Sequence, residues 1–554
     1  PDELFSNSNK TKEGDIGDGI LDIFDRYNFT VNENEPLEKE VAVDPEMLGK
    51  VFENLLEIKD RKSKGAFYTP REIVHYMCQE CLINYLDSET NEKIPREDIE
   101  LLIRSGVQII QNDQIVLQRG KENITYRFML PESIRNSVQK LDDLLANIKV
   151  CDPAVGSGAF PLGMLNEVVR ARQVLSVHLK REISPYKLKL HTISNSIYGV
   201  DIDPGAVEIA KLRLWLALVV EENVPHPLPN LEHKIMQGNS LISEYEGIKL
   251  FDENLLEEKD KKTVQLGMNF GSSADRKLER LQLATESFIH ESQRSKKQKL
   301  KEEIDALKWE LIEATLEEQG RKDKLKEIRI LRRKNIKPFF IWKLEFSDVF
   351  KEKGGFDVVI GNPPYITYKG KQKVNVSNEE IRYYIETYKN SAEYKINSYA
   401  LFVERAFSLL KKEGVMSYII PSTILQNEYL GKIRKHVLEN YHIDLLVTFG
   451  NKVFQAVTDS IILQCSKRKT NDKTKTLRKL DLNFTDNLKF VFWNQKEWFD
   501  INTTFAINLK ISEVEKQIIS RIDKTSAFLE NFIEVYVGVV ASGIKQFLSE
   551  SKID

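Results

Sequence analysis

The sequence predicts a doubly wound α/β protein with helical additions, and three strand-to-loop transitions predict it. Residues 147–152 read as a short strand that runs into Pro153-Ala154-Val155-Gly156-Ser157-Gly158 and then an apolar helical stretch over 159–174. Residues 196–203 repeat the pattern, with Asp201 at the strand tip and a helix running from near Gly205 through Leu218. Residues 356–360 are a third β-rich run, which enters Asn362-Pro363-Pro364-Tyr365. Open α/β sheets bind ligands at the carboxyl ends of their strands, so each of these loops is a candidate site loop.

Ahead of them, residues 1–60 read as a mostly helical N-terminal region. It is polar to about residue 37; then Val41, Met47, Leu48, Val51, Phe52, Leu55 and Leu56 recur at helical spacing. Arg61-Lys62-Ser63-Lys64 is either a solvated basic face or a phosphate contact. Phe67-Tyr68-Thr69-Pro70 then opens a helix, because Thr69 and Glu72 match a capping box with Pro70 at the first helical position. The free N–H groups of such a helix start also suit a carboxylate. A main domain over 61–470 would contain two helical insertions, at about 86–146 and 250–337.

In the first loop Gly156 and Gly158 let the backbone approach a ligand, and Asp152 sets a carboxylate at the strand tip. A nucleotide-type cofactor is implied. Pro161 stands where a dinucleotide fingerprint wants its third glycine or alanine, which argues against NAD. Asp201 stands where a carboxylate accepts both hydroxyls of an unphosphorylated ribose, whereas Asp203 with Pro204 reads as the cap of the next helix. Residues 234–241 look like another strand and polar turn, where Asn239 either meets an adenine edge or serves turn chemistry.

The larger insertion spaces Leu278, Leu281, Leu300, Ile304, Leu307, Leu311 and Ile312 for a self-packed helical hairpin, broken near Gly320 before a helix ending in Arg332-Arg333-Lys334. Strands follow at 415–421 and 444–449, and 460–465 is expected to complete an antiparallel hairpin at the sheet edge. Residues 467–479 read as a polar linker. The region 471–554 is expected to hold that linker and the start of a further domain, opening with a strand over 535–540.

The Asn-Pro-Pro-Tyr loop fits one chemistry well. An amine conjugated to an aromatic ring is a poor nucleophile because its lone pair is delocalised. Two acceptors on its N–H bonds turn that lone pair outward, and Asn362 offers a side-chain carbonyl beside the main-chain carbonyl of Pro363. Pro363 and Pro364 fix φ and leave no N–H in the way, so the acceptors are preorganised. Tyr365 adds a flat face on which an extruded base can stack. Read blandly, the same residues are a strand-terminating turn.

Phe-Tyr-Thr-Pro, Asp-Pro-Ala-Val-Gly-Ser-Gly-Ala-Phe, Val-Asp-Ile-Asp-Pro, Gly-Asn-Ser-Leu and Asn-Pro-Pro-Tyr, in this order over about residues 38–470, resemble the γ-class DNA adenine-N6 methyltransferases. The closer resemblance is to the methylase portion of type IIG (Eco57I-like) restriction-modification enzymes and related phage-defence methylases. It implies a Rossmann-like, S-adenosylmethionine-dependent core acting on double-stranded DNA, with a nuclease or specificity module elsewhere in the same polypeptide or system. By this resemblance Thr69 and Asp152 hold the methionine part of the cofactor, Asp201 its ribose and Asn239 its adenine. Phe67, Tyr68, Pro153, Ala154, Gly156, Gly158, Ile202 and Ser240 join them as cofactor-binding residues, and Asn362 borders both cofactor and target. Phe454, after a later strand, would sandwich the flipped adenine with Tyr365. Relatives often carry an acid where Asn239 stands. Cytosine-N4 or another amine is the alternative target, and a non-catalytic DNA-binding subunit the alternative class.

Composition bounds the rest. At 554 residues and 41% hydrophobic content the chain is long enough for several parts around a large core. A net charge of −3 means that any DNA footprint is a local basic patch. The absence of a long apolar run leads to the expectation of a cytoplasmic protein without a membrane partner. Cys78, Cys81, Cys151 and Cys465 make no disulfide framework. His75, Cys78 and Cys81 lie at successive turns of a core-like helix without a second ligand pair, so no metal is expected.

Overall fold

The computed structural model describes residues 69–509 apart from 92, 120–126, 180–182, 221–226, 257–272, 335, 369–375, 450–452, 454–458, 469–472, 481–489 and 499–503. The expectations for residues 1–64, Phe67, Tyr68, Phe454 and the strand at 535–540 lie outside the described residues.

In chain order the strands are β1 (Val150–Asp152), β2 (Ile197–Asp201), β3 (Ile235–Gln237), β4 (Glu244–Tyr245), β5 (Ile248–Lys249), β6 (Phe356–Gly361), β7 (Leu410–Pro421), β8 (His442–Phe449), β9 (Ser460–Ser466), β10 (Thr474–Leu480) and β11 (Phe490–Trp493). β4 and β5 pair only with each other; the remaining nine form one sheet in the order β11-β10-β8-β9-β7-β6-β1-β2-β3. Neighbours from β3 to β7 are parallel. The chain winds outward from β1 to β3 and then returns to β6 on the other side of β1. That reversal makes the crevice between the tips of β1 and β6 the switch point at which such sheets bind ligands.

The strands are buried because helices cover both faces, and β6 has no exposed residue at all. Side-chain alternation sends Ile197 into the main core, while Tyr198 turns into an aromatic group with Phe346 and Phe356. Helices Arg71–Thr90 and Ala159–Leu179 supply much of the main core, including Ile73, Met77, Leu165 and Val168. His75 bonds Glu167 through Nδ1, and Cys78 and Cys81 are buried thiols whose pKa values burial raises. Among the described residues no cluster of three His, Cys, Asp or Glu side chains is arranged to hold a metal, and no helix is long and apolar enough to cross a membrane.

Three sequence expectations are corrected. The capping box at Thr69 does not form: Pro70 is itself the N-cap, its ring offers no acceptor, and Thr69 Oγ1 accepts from Asn362 Nδ2 instead. The strand at 460–465 is not an edge strand. β9 lies between β7 and β8 and pairs antiparallel with both, its apolar run matching burial on all sides. Nor are residues 467–479 wholly linker, since β10 pairs parallel with β8 and β11 adds to it antiparallel. By contrast Asp203 does cap helix Pro204–Val219, accepting from the N–H groups of Gly205 and Ala206.

Helices Ser273–His290, Arg294–Glu318 and Lys322–Lys334 form the body of the larger insertion around their own core of Leu278, Leu281, Phe288, Ile304, Leu311 and Ile328. Gly320 breaks the second helix from the third at φ +69°. Part of the basic helix end is neutralised internally, with Arg329 and Arg332 both bonding Glu313.

Candidate functional site

Asp152, Asp201 and Gly361 end β1, β2 and β6 on one edge of the sheet, and their loops converge there. The Asp152 carboxylate is almost fully buried and accepts the Ala154 N–H at 3.0 Å. A Cβ on Gly361 would lie 2.5 Å from Asp152 Oδ1, so only glycine lets β6 pass this carboxylate. Asp201 Oδ2 accepts the Gly156 N–H at 2.8 Å and Oδ1 accepts the Asp203 N–H at 2.9 Å. Asp201 therefore ties the glycine loop to β2, a role the sequence did not reveal.

Burial pushes the pKa of Asp152 well up, with the nearby Asp201 charge adding to the effect against the Ala154 N–H. Burial also raises that of Asp201, opposed by the Asp203 and Gly156 N–H groups. Two raised carboxyls side by side favour a cationic guest.

The glycine loop is shaped to admit one. Gly156 has φ +50° and nothing within 4 Å of where a Cβ would sit, whereas Gly158, at φ +87°, sits with its would-be Cβ 3.0 Å from the Ala210 backbone of the next helix. Ile202 beside Asp201 is 66% exposed, an apolar face at the rim of this loop. Ser240 Oγ donates to the Pro153 carbonyl at 2.6 Å, and Asn239 Oδ1 accepts the Leu241 N–H at 3.1 Å, so both residues shape the turn itself. The turn is backed by Tyr388, whose hydroxyl donates to the Leu241 carbonyl, and by Arg405, which donates to Leu241 and Ser243.

The loop after β6 is held by distant partners. Asn362 Nδ2 donates to Thr69 Oγ1 at 3.2 Å, which orients the amide and brings the two motif segments together across 293 positions. Ser398, fully buried at the start of helix Ser398–Leu409, donates from Oγ to the Pro364 carbonyl and accepts the Ile366 N–H at 2.9 Å. Tyr365 donates to the Ile419 carbonyl at 3.1 Å, and its ring meets Tyr399 edge-on at 6.3 Å. Burial raises the Tyr365 pKa, so the phenol stays neutral. Nothing in the sequence marked Ser398 or Tyr399, because neither lies in a motif.

Thr69, Asp152, Pro153, Ala154, Gly156, Gly158, Asp201, Ile202, Asn239, Ser240, Asn362, Pro363, Pro364 and Tyr365 thus lie at the strand tips or in the segments joined there, at the carboxyl end of the sheet. Sheet order and loop placement define a doubly wound α/β core whose loops gather at the switch point of the sheet. Residues 195–454 match the family described as Eco57I restriction-modification methylase. A Methanocaldococcus jannaschii protein named provisionally as the type II restriction enzyme and methyltransferase RM.MjaORFECS2P is 28% identical, over 98% of this chain and 48% of its own length. The Escherichia coli type II restriction enzyme and methyltransferase RM.Eco57I is 27% identical, over 76% of this chain and 36% of its own. The chain thus spans about half or less of these relatives. Among solved structures, the type IIL restriction-modification enzyme MmeI in complex with DNA overlays with a TM-score of 0.43 at 13% identity, covering 85% of this chain and 45% of that one.

Proposed function

We propose that this chain is the methylase part of a restriction-modification or phage-defence protein, transferring a methyl group from S-adenosylmethionine to N6 of an adenine extruded from duplex DNA. The observation that carries this reading is the bond between Asn362 and Thr69, which joins the amine-holding loop to the expected cofactor-binding segment. When bound, the cofactor supplies an electrophilic methyl on a sulfonium and needs no metal.

The residues present fit such a cofactor. Asp152 and the glycine loop face its charged methionine end, Asp201 accepts ribose hydroxyls, and Ile202 offers an apolar face to its adenine. On the target side, the Asn362 carbonyl and the Pro363 main-chain carbonyl accept the two N6–H bonds. Thr69 holds the Asn362 amide by its nitrogen, directing the carbonyl oxygen away from itself. Tyr365, fixed at its hydroxyl by Ile419, keeps its ring in one place for stacking. No strong base is required, since the N6 proton becomes acidic as the methyl bond forms and leaves to solvent. The rate gain is then mainly positional.

Titration calorimetry with S-adenosylmethionine, followed by incubation with the tritiated cofactor and unmethylated duplex DNA, tests this reading. Saturable binding and label in DNA support it. Binding without label in DNA supports a scaffold subunit instead.

A further inference from the structure

Helix Ser398–Leu409 grips the site at two points. At its first residue the Ser398 N–H donates to the Ile366 carbonyl at 2.8 Å, the hydroxyl donates to the Pro364 carbonyl, and the same oxygen accepts the Ile366 N–H at 2.9 Å. The two residues before it add to the grip: the Thr367 hydroxyl donates to the Asn397 side chain at 3.0 Å, and the Tyr368 N–H to the Ile396 carbonyl at 2.9 Å. Arg405 stands two turns further on and therefore on the same side of the helix, about 10 Å along its axis. Its guanidinium donates to the Leu241 carbonyl at 3.2 Å, to Ser243 Oγ at 3.3 Å and to the Tyr388 hydroxyl at 2.6 Å. Tyr388 braces the same point, donating to the Leu241 carbonyl at 2.6 Å.

The turn that Arg405 holds is itself tied to the first two site loops. The Gly238 N–H donates to the Asp201 carbonyl at 2.8 Å, and Ser240 Oγ to the Pro153 carbonyl at 2.6 Å. The chain that leaves the loop after β6 also returns to this turn, since the Tyr368 ring stacks on Tyr384 with centroids 5.3 Å apart at 25° and the Tyr383 hydroxyl accepts the Ser243 N–H at 3.2 Å. Between its two grips the helix is fixed in place. Leu401, Phe402, Val403, Ala406 and Phe407 are all buried, and a close-packed interior does not let a helix slide.

Resting on the methylase reading above, we propose that helix Ser398–Leu409 is a strut that sets the gap between methyl donor and amine, with Ser398 and Arg405 as its positioning residues. Ser398 fixes the loop that carries Asn362 and Pro363, and Arg405 fixes the turn beside which the cofactor lies. In the transfer the amine lone pair forms the new N–C bond, the C–S bonding pair returns to sulfur, and the N6 proton leaves to solvent. That displacement needs its reacting atoms about 3–3.5 Å apart, and a misplacement of about 1 Å can cost about a hundredfold in rate. Neither residue is asked to touch the reacting atoms; each acts through the segment it holds. Without Arg405 the turn keeps its bonds to Asp201 and Pro153, so the cofactor still binds while its distance from the amine is no longer fixed.

The test is a double-mutant cycle on the whole protein, read as single-turnover transfer from tritiated S-adenosylmethionine to unmethylated genomic DNA with both saturating. Ser398→Ala and Arg405→Ala should each slow transfer about tenfold to a hundredfold. Cofactor affinity by titration calorimetry should stay within about fivefold of wild type in both. Releasing either end of a strut releases the other, so the double variant should be no more than about threefold slower than the slower single one. Arg405→Lys keeps the charge but not the fork that reaches three acceptors, and should be slowed as much as Arg405→Ala. Tyr388→Phe keeps the buried ring and should slow transfer severalfold with cofactor affinity unchanged. If Ser398→Ala unfolds the protein, Arg405→Lys and Tyr388→Phe decide the matter by themselves. Losses that multiply in the double variant, wild-type transfer in Arg405→Ala or Tyr388→Phe, recovery of rate in Arg405→Lys, or a loss confined to cofactor affinity overturns the strut while leaving the methylase reading standing. Wild-type protein that puts no label into DNA overturns that reading, and the strut with it.

Discussion

The cofactor half and the target half of the site are built differently. Around β1 and β2 the polar groups are satisfied by near neighbours in the chain or by the adjacent strand: Ala154 on Asp152, Asp203 and Gly156 on Asp201. Around the loop after β6 the partners are Thr69, Ser398 and Ile419, which come from three other elements. A half whose bonds stay within neighbouring strands and loops is rigid before any ligand arrives. A half whose bonds run between distant elements is positioned only when all of them are folded, so damage to either half should read out differently.

The largest separation is expected from Asp201. Asp201→Ala removes the proposed acceptor of two ribose hydroxyls and frees the Gly156 loop, and should weaken S-adenosylmethionine by about 2–4 kcal/mol in titration calorimetry on folded protein. Wild-type affinity would break the assignment of this half. Asn362→Ala should act on the other half alone, cutting single-turnover methyl transfer about a hundredfold or more with cofactor affinity held within about tenfold. If turnover survives, the loop is only a turn.

Gly361→Ala attacks the seam between the halves. Its Cβ would meet the Asp152 carboxylate at 2.5 Å, and overpacking of this kind costs about 1–3 kcal/mol. Chemical denaturation should show that loss, and cofactor affinity should fall with it; a neutral effect would mean that β6 and β1 can part freely.

The smallest effect is a pH slope. Burial raises the carboxyl pKa of Asp152, so the folded state binds more protons than the unfolded one between the ordinary carboxylate value and the raised one. Stability contributed by this group is present at low pH and declines as pH rises through that window, and Asp152→Asn should flatten the decline. A cationic cofactor favours the ionised form, so wild-type affinity should rise with pH over the same window and the variant should lose that slope. Parallel slopes in both proteins would place the titration elsewhere.

The same contrast explains what was legible in the sequence. Asp201 at a strand tip, Asp203 before Pro204 and the paired glycines are local signals, and local bonds fulfil them. Thr69 looked like a cap because Pro70 and Glu72 flank it, yet its hydroxyl serves a residue 293 positions away, and no local pattern encodes that choice. Ser398 is invisible for the same reason. The place of β9 inside the sheet was misjudged because an apolar run tells that a strand is buried without telling between which neighbours. The helical insertion was legible as a hairpin because its apolar spacing is internal to it.

If the Asn362 loop holds the exocyclic amine of adenine, as proposed, the methylated atom is N6, and analysis of the product decides it. Duplex DNA labelled by the protein from tritiated S-adenosylmethionine would be digested to nucleosides and separated by chromatography. The account predicts that the label elutes as N6-methyladenine and disappears in Asn362→Ala. Label in N4-methylcytosine, or label in adenine that persists in Asn362→Ala, would contradict it.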